Sequence, residues 1–188
     1  MLKSIAMWQR RTDKDDKPHE IADREKARAR TMARAIRLLA AKPRSIGEIR
    51  ERLLEKNWTD AAIVDGVIEK LREYNYLDDD QYARDLALSK LRQKPQGRRR
   101  LQQRLSHKKL DRSTLDTAIK AAYETLPESD LIDTAIEKCV RLKGIPATHE
   151  ERKKFTEHLM RQGFDYSLIR EKLQQLEIDA AAPSNKLA

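Results

Sequence analysis

Three stretches of the chain space their apolar residues in the same way. The first is Ile49, Leu53, Trp58, Ile63, Val67; the second Leu101, Leu105, Leu110, Leu115, Ile119; the third Phe155, Leu159, Phe164, Ile169, Leu173. Each steps by 4, 5, 5 and 4, and the copies begin 52 and 54 residues apart. A step of four keeps two side chains on one face of a helix. The first step of five crosses a short turn. The second is the separation of a hydrophobic staple around an N-cap. Thr59, Asp111 and Asp165 directly follow the first apolar residue of each staple and are the expected caps. Each copy therefore reads as helix, turn, capped helix, and a period near 50 predicts tandem units.

A further helix precedes each pair. The first runs from about Glu25 to Ala41 and is stopped by Pro43; the next opens with Ser45 and Glu48, a capping box. In the middle copy Asp78 can cap, Gln81 can reach back and Leu77 can staple to Tyr82. That helix ends near Lys94, before Pro95 and Gly97. The third copy leads with Glu128 to Lys143, closed by Gly144 and Pro146, and Thr148 with Glu151 forms a second capping box. The expectation is an all-α fold of three tandem three-helix units, residues 24–76, 77–125 and 126–178. A disordered tail, 1–23, would precede them and a flexible tail, 179–188, would follow.

Charged residues make up 38% of the chain and aromatics 5%, which disfavours one thick core. Five apolar side chains per unit, at about 1.5–3 kcal/mol each, offset only part of the ordering entropy of such a unit. Thin cores of this kind predict stacking into an elongated, curved chain. Trp58, Tyr74, Tyr76 and Phe164 are expected as core or staple residues, and the single cysteine, Cys139, as a buried thiol.

The net charge of +9 is local. Between Arg84 and Arg112 stand eleven Lys/Arg against two Asp/Glu, while the remainder holds 29 of each sign. The candidate binding residues are Arg92, Lys94, Arg98, Arg99, Arg100, Arg104, Lys108 and Lys109. They suit DNA phosphates or an acidic protein surface. Aromatics for base stacking are absent from the stretch, which argues against sequence-specific reading of single strands. Asp78-Asp79-Asp80 reads as a helix N-cap rather than a metal site. His19, His107, His149 and His158 lack ligand spacing, and no cofactor motif occurs. A non-enzymatic, cytoplasmic monomer is expected: nucleotide, hydrolase and zinc motifs are missing, no apolar run spans a membrane, and Met1–Arg11 is too short in apolar residues for a signal peptide.

The stretch Ala35-Ile36-Arg37-Leu38-Leu39-Ala40, then Pro43-Arg44-Ser45-Ile46-Gly47-Glu48-Ile49, Leu53, Ile68-Glu69-Lys70-Leu71 and Leu77-Asp78-Asp79-Asp80-Gln81-Tyr82-Ala83 resembles the RecX family, as do Lys94, Gly97, Arg100-Leu101 and Leu105. Ile49 stands where that family often has Leu. The resemblance covers about Ala29 to Leu176; its first unit and the Leu77–Ala83 junction are the specific parts. It implies a tandem three-helix protein that lies in the groove of the RecA–DNA filament and restrains its ATPase, strand-exchange and coprotease activities. Two other readings stay open: a DNA-binding protein using its units as helix-turn-helix modules, and a helical scaffold for an unrelated acidic partner.

Overall fold

The computed structural model describes residues 23–181. Among them the secondary structure is entirely helical: α1 Arg24–Ala41, α2 Ile46–Leu54, α3 Ala61–Glu73, α4 Asp79–Gln93, α5 Arg98–Leu105, α6 Arg112–Thr125, α7 Glu128–Lys143, α8 His149–Arg161 and α9 Tyr166–Ala181, with a 3-10 turn at Ser106–Lys108. Helix α9 thus continues past residue 178. The expected tails fall mostly outside the described residues, and Asp23 is already the N-cap of α1.

Local chemistry starts most of these helices. Ser45 Oγ accepts from the Glu48 amide at 3.1 Å while Glu48 returns a bond to the Ser45 amide at 3.2 Å. Thr148 and Glu151 repeat the box. Asp78 accepts from the Gln81 amide at 2.9 Å, and Asp165 from the Ser167 amide at 2.8 Å. Three expected caps differ. The cap of α3 is Asp60, not Thr59: its carboxylate accepts from the Ile63 amide at 2.8 Å. Asp111 occupies the cap position of α6 but makes no side-chain capping bond. Gln81 donates forward to Asp85 rather than back to its cap.

Helix α3 ends in a Schellman motif. Asn75 adopts φ 57°, and the Tyr76 amide bonds back to Leu71 O at 2.8 Å. That turn directs Tyr74 and Tyr76 outward, 58% and 65% exposed, so neither is a core residue. Trp58 is half-buried beneath the Arg30 guanidinium, 3.8 Å from the ring centroid. Phe164 is buried as expected.

The apolar stripes do not build three separate cores. Ala35, Ile49, Leu53, Val64, Val67, Ile68 and Leu71 of α1–α3 pack together with Leu77. A second, continuous core joins α4–α6 to α7–α9, from Leu91, Leu101 and Leu105 through Ile132 and Ile136 to Leu159, Phe164 and Ile169. The reason is close approach at the second joint. The Gly97 amide donates to Gln162 O at 3.0 Å, and a Cβ on Gly97 would lie 2.1 Å from Gly163 O. Gly163, at φ 90°, supplies the left-handed turn between α8 and α9 that seats there.

The first joint repeats this arrangement with polar side chains. Ser45 stands 52 residues before Gly97, and its hydroxyl donates to Lys108 O at 2.5 Å. Lys109, 54 residues before Gly163, takes the left-handed conformation at φ 53°. A Cβ on Gly47 would meet Lys109 O at 2.6 Å. In both joints the turn after one unit's second helix accepts a hydrogen bond from the N-cap residue of the second helix of the unit before it.

Candidate partner-binding surface

The basic stretch of the middle group occupies the end of α4, the whole of α5 and the 3-10 turn. Leu101 and Leu105 are 0% and 1% exposed, which fixes the orientation of α5 and holds most of its arginines toward solvent. Arg98, Arg99 and Arg100 fill the first turn, where the helix dipole disfavours cations by about 0.3–1 kcal/mol each. The Glu128 carboxylate offsets this by accepting from the Arg98 amide at 3.0 Å.

Five of the eight candidate residues are fastened to the fold. Arg98 lies 5.0 Å from the Tyr123 ring centroid. Burial, with the nearby Glu128 charge, raises the Tyr123 hydroxyl well above its ordinary pKa, and that hydroxyl donates to Gln96 O at 2.9 Å. Arg100 donates to Arg161 O at 2.8 Å, closing the end of α8. Arg104 reaches the buried Gln96 side chain at 3.2 Å. Lys108 pairs with Glu48 at 3.2 Å, and Lys109 pairs with Glu51. Burial raises the Glu48 pKa, but the Ser45 amide, the Lys108 ammonium and the Tyr82 hydroxyl outweigh it and hold the carboxyl below its ordinary value.

Among the described residues, no ion pair or side-chain hydrogen bond forms at Arg92, Lys94 or Arg99, and all three are exposed. The aspartate run is structural throughout. Asp78 caps α4, Asp79 accepts from the Ile46 amide at 2.9 Å, and Asp80 accepts from Thr114 at 3.0 Å. Burial pushes the Asp79 carboxyl up, and its acidic neighbours add to the shift.

Sequence reasoning missed a second group of cations. Lys138, Arg141 and Lys143 of α7 and Arg161 of α8 converge with Lys94 and Arg100 around a groove of about 700 Å³. His158 lies in that groove, its pKa lowered by burial and then by Lys143, Arg161, Lys94 and Arg100. No local signal marks these residues, because acids such as Glu137, Glu150 and Glu151 balance the charge of their own stretch. Leu142 continues the apolar stripe of α7 after Leu131, Ala135 and Cys139, so nothing in the spacing marks it as exposed, yet it is 70% exposed. No helix among the described residues is long and apolar enough to cross a membrane.

Two domain models of RecX match the chain: the first three-helix domain over residues 32–71 and the second over residues 78–119. The regulatory protein RecX of Chlorobaculum tepidum is 30% identical over 154 residues, covering 81% of this chain and 92% of that protein. Its counterpart in Chlorobium phaeobacteroides is 34% identical over 142 residues, covering 76% and 90%. A crystal structure of RecX from Lactobacillus salivarius superposes with a TM-score of 0.73 at 19% identity, over 82% of this chain and 99% of that one. It supports the fold. The repeated three-helix plan and relatives at 30% identity or more along nearly their whole length agree: this chain belongs to the RecX family of regulatory proteins.

Proposed function

We propose that the protein regulates the RecA recombinase by lying along the RecA–DNA filament as three linked units, 24–76, 77–125 and 126–178, and restraining its ATPase, strand-exchange and coprotease activities. It would act without catalysis, as a cytoplasmic monomer. Membership of a family of regulatory proteins is the observation that carries this reading. The middle unit's cationic face, with Arg92, Lys94 and Arg99 unpaired, supplies a surface for DNA phosphates or acidic filament residues. Units fastened through hydrogen-bonded joints form a body that meets several protomers at once, so weak contacts add by effective concentration. The helix-turn-helix alternative is weaker. It needs a free helix N-terminus, and that of α5 is engaged by Glu128 and the α8–α9 turn.

The test is RecA's DNA-dependent ATP hydrolysis on single-stranded DNA, with this protein below the RecA concentration. The expected result is a fall in rate that the triple variant R92E/K94E/R99E relieves while its helicity stays intact. These positions are preferred to Arg100 and Arg104, whose replacement would also disturb the fold. Undiminished inhibition by the variant would exclude this face, and no inhibition by the folded wild type would exclude the function.

A further inference from the structure

Apart from Lys94, the groove between the middle and third units uses cations that the reading above does not need. Its floor is apolar, formed by Pro95, Ala135 and Cys139, with Leu142 exposed at its edge. Its rim carries six cations from the end of α4 and from α5, α7 and α8, against one acid, Glu137. Among the described residues, no ion pair forms at Lys94, Lys138, Arg141 or Lys143, and Arg161 meets Glu157 only at 3.9 Å. Basic residues in the last turn of α7 suit its dipole. The same preference accounts for Arg161 in the last turn of α8 and Lys94 at the end of α4, but not for the convergence of these ends and Arg100 on one groove. A smaller cavity of about 160 Å³, lined by Ile145, Pro146 and Phe155, shares Cys139, Lys143 and His158 and so continues the groove toward α8.

An apolar floor under a cationic rim is complementary to a chain that alternates carboxylates with a bulky apolar side chain. The volume of about 700 Å³ lies within the range that binding clefts use. Nucleic acid fits less well. The larger groove has no Trp, Tyr or Phe on which a base could stack, and an apolar floor contributes nothing to phosphate binding. We propose that this groove docks an acidic peptide segment of a partner protein, with one apolar side chain seated on Leu142 and Pro95 and its carboxylates held by Lys94, Lys138, Arg141 and Lys143. The inference stands on this groove and does not depend on the RecA reading.

The experiment is fluorescence polarisation of the full-length protein with a labelled twelve-residue peptide alternating Asp and Glu around a central Phe, at physiological salt. The expected result is saturable binding, weakened at least about tenfold by K138E/R141E and severalfold when the peptide's Phe becomes Ser. Both residues are exposed, and a matching circular dichroism spectrum establishes that the variant folds. R92E/R99E, outside the groove, should leave peptide binding unchanged. Three outcomes would overturn the proposal: no binding, equal binding of the Phe-less peptide, or a twelve-residue oligothymidine binding more tightly and being lost in the same variant.

Discussion

Gly97→Ala tests whether the joint between the second and third units is set by backbone contact. Gly97 has φ −79°, a conformation alanine adopts without strain, so any cost arises from its surroundings. The added methyl would lie 2.1 Å from Gly163 O, 2.2 Å from its carbonyl carbon and 2.3 Å from the Phe164 nitrogen. All three are backbone atoms of a turn anchored on Phe164, 2% exposed, so rotamer changes cannot relieve the clash. The joint has to open by roughly 1 Å to restore ordinary van der Waals separation. Overpacking of this kind costs about 1–3 kcal/mol. Losing the bond from the Gly97 amide to Gln162 O costs about 0.5–1.5 kcal/mol more. The stiffer unfolded chain returns about 0.4–1 kcal/mol. The balance is a loss of about 2 kcal/mol, a fall in Tm of about 4–8 °C for a chain of this length. Thermal and urea unfolding followed by helical circular dichroism measure it. A Gly97→Ala protein as stable as the wild type, or more so, would refute the argument, because it would show that the units do not meet at this contact.

Gly66→Ala should have the opposite sign. Gly66 lies inside α3, and its added methyl would meet only the flexible end of Arg28 at 3.4 Å, so helix propensity should stabilise by about 0.5–1 kcal/mol in the same assay. The first joint should be acid-sensitive through Glu48. Folding lowers its pKa, so its contribution is complete above the unfolded glutamate value of about 4.3 and is lost as pH falls through the lower folded value. The wild type should lose urea stability between about pH 5 and pH 3 more steeply than Glu48→Gln. Parallel curves for the two proteins would remove Glu48 from the joint.

Helices and turns were legible in the sequence because their determinants are local. The 4, 5, 5, 4 spacing located α2–α3, α5–α6 and α8–α9, and the two capping boxes fell where Ser45 and Thr148 stand. The choice of Asp60 over Thr59 was not legible. Either residue can cap, and which carboxylate or hydroxyl reaches the Ile63 amide depends on how the turn after Trp58 lies. Core organisation was less legible still. The number of separate cores depends on how closely units approach, and at the second joint two glycines allow backbone contact.

Charge shows most clearly where local reading stops. An excess of cations along the sequence became only a partial excess in space, because folding brings Glu48 to Lys108, Glu51 to Lys109 and Glu128 to the start of α5. Those acids come from the first and third groups of helices, so the basic stretch supplies part of the adhesion between units as well as a surface. The reverse happened at the groove. Lys138, Arg141 and Lys143 stand in a stretch of balanced charge, yet their helix turns them toward Lys94, Arg100 and Arg161. The lowered pKa of His158 has burial as its first cause and this convergence as its second. Binding capacity in a repeat protein of this kind therefore follows from which charges remain unpaired once the joints have formed. Arg92, Lys94 and Arg99 remain so on the face of the middle unit, and Lys94, Lys138, Arg141 and Lys143 at its seam with the third. Lys94 alone belongs to both sets, so Lys94→Glu should weaken filament inhibition and peptide binding together, whereas R92E/R99E and K138E/R141E should separate them.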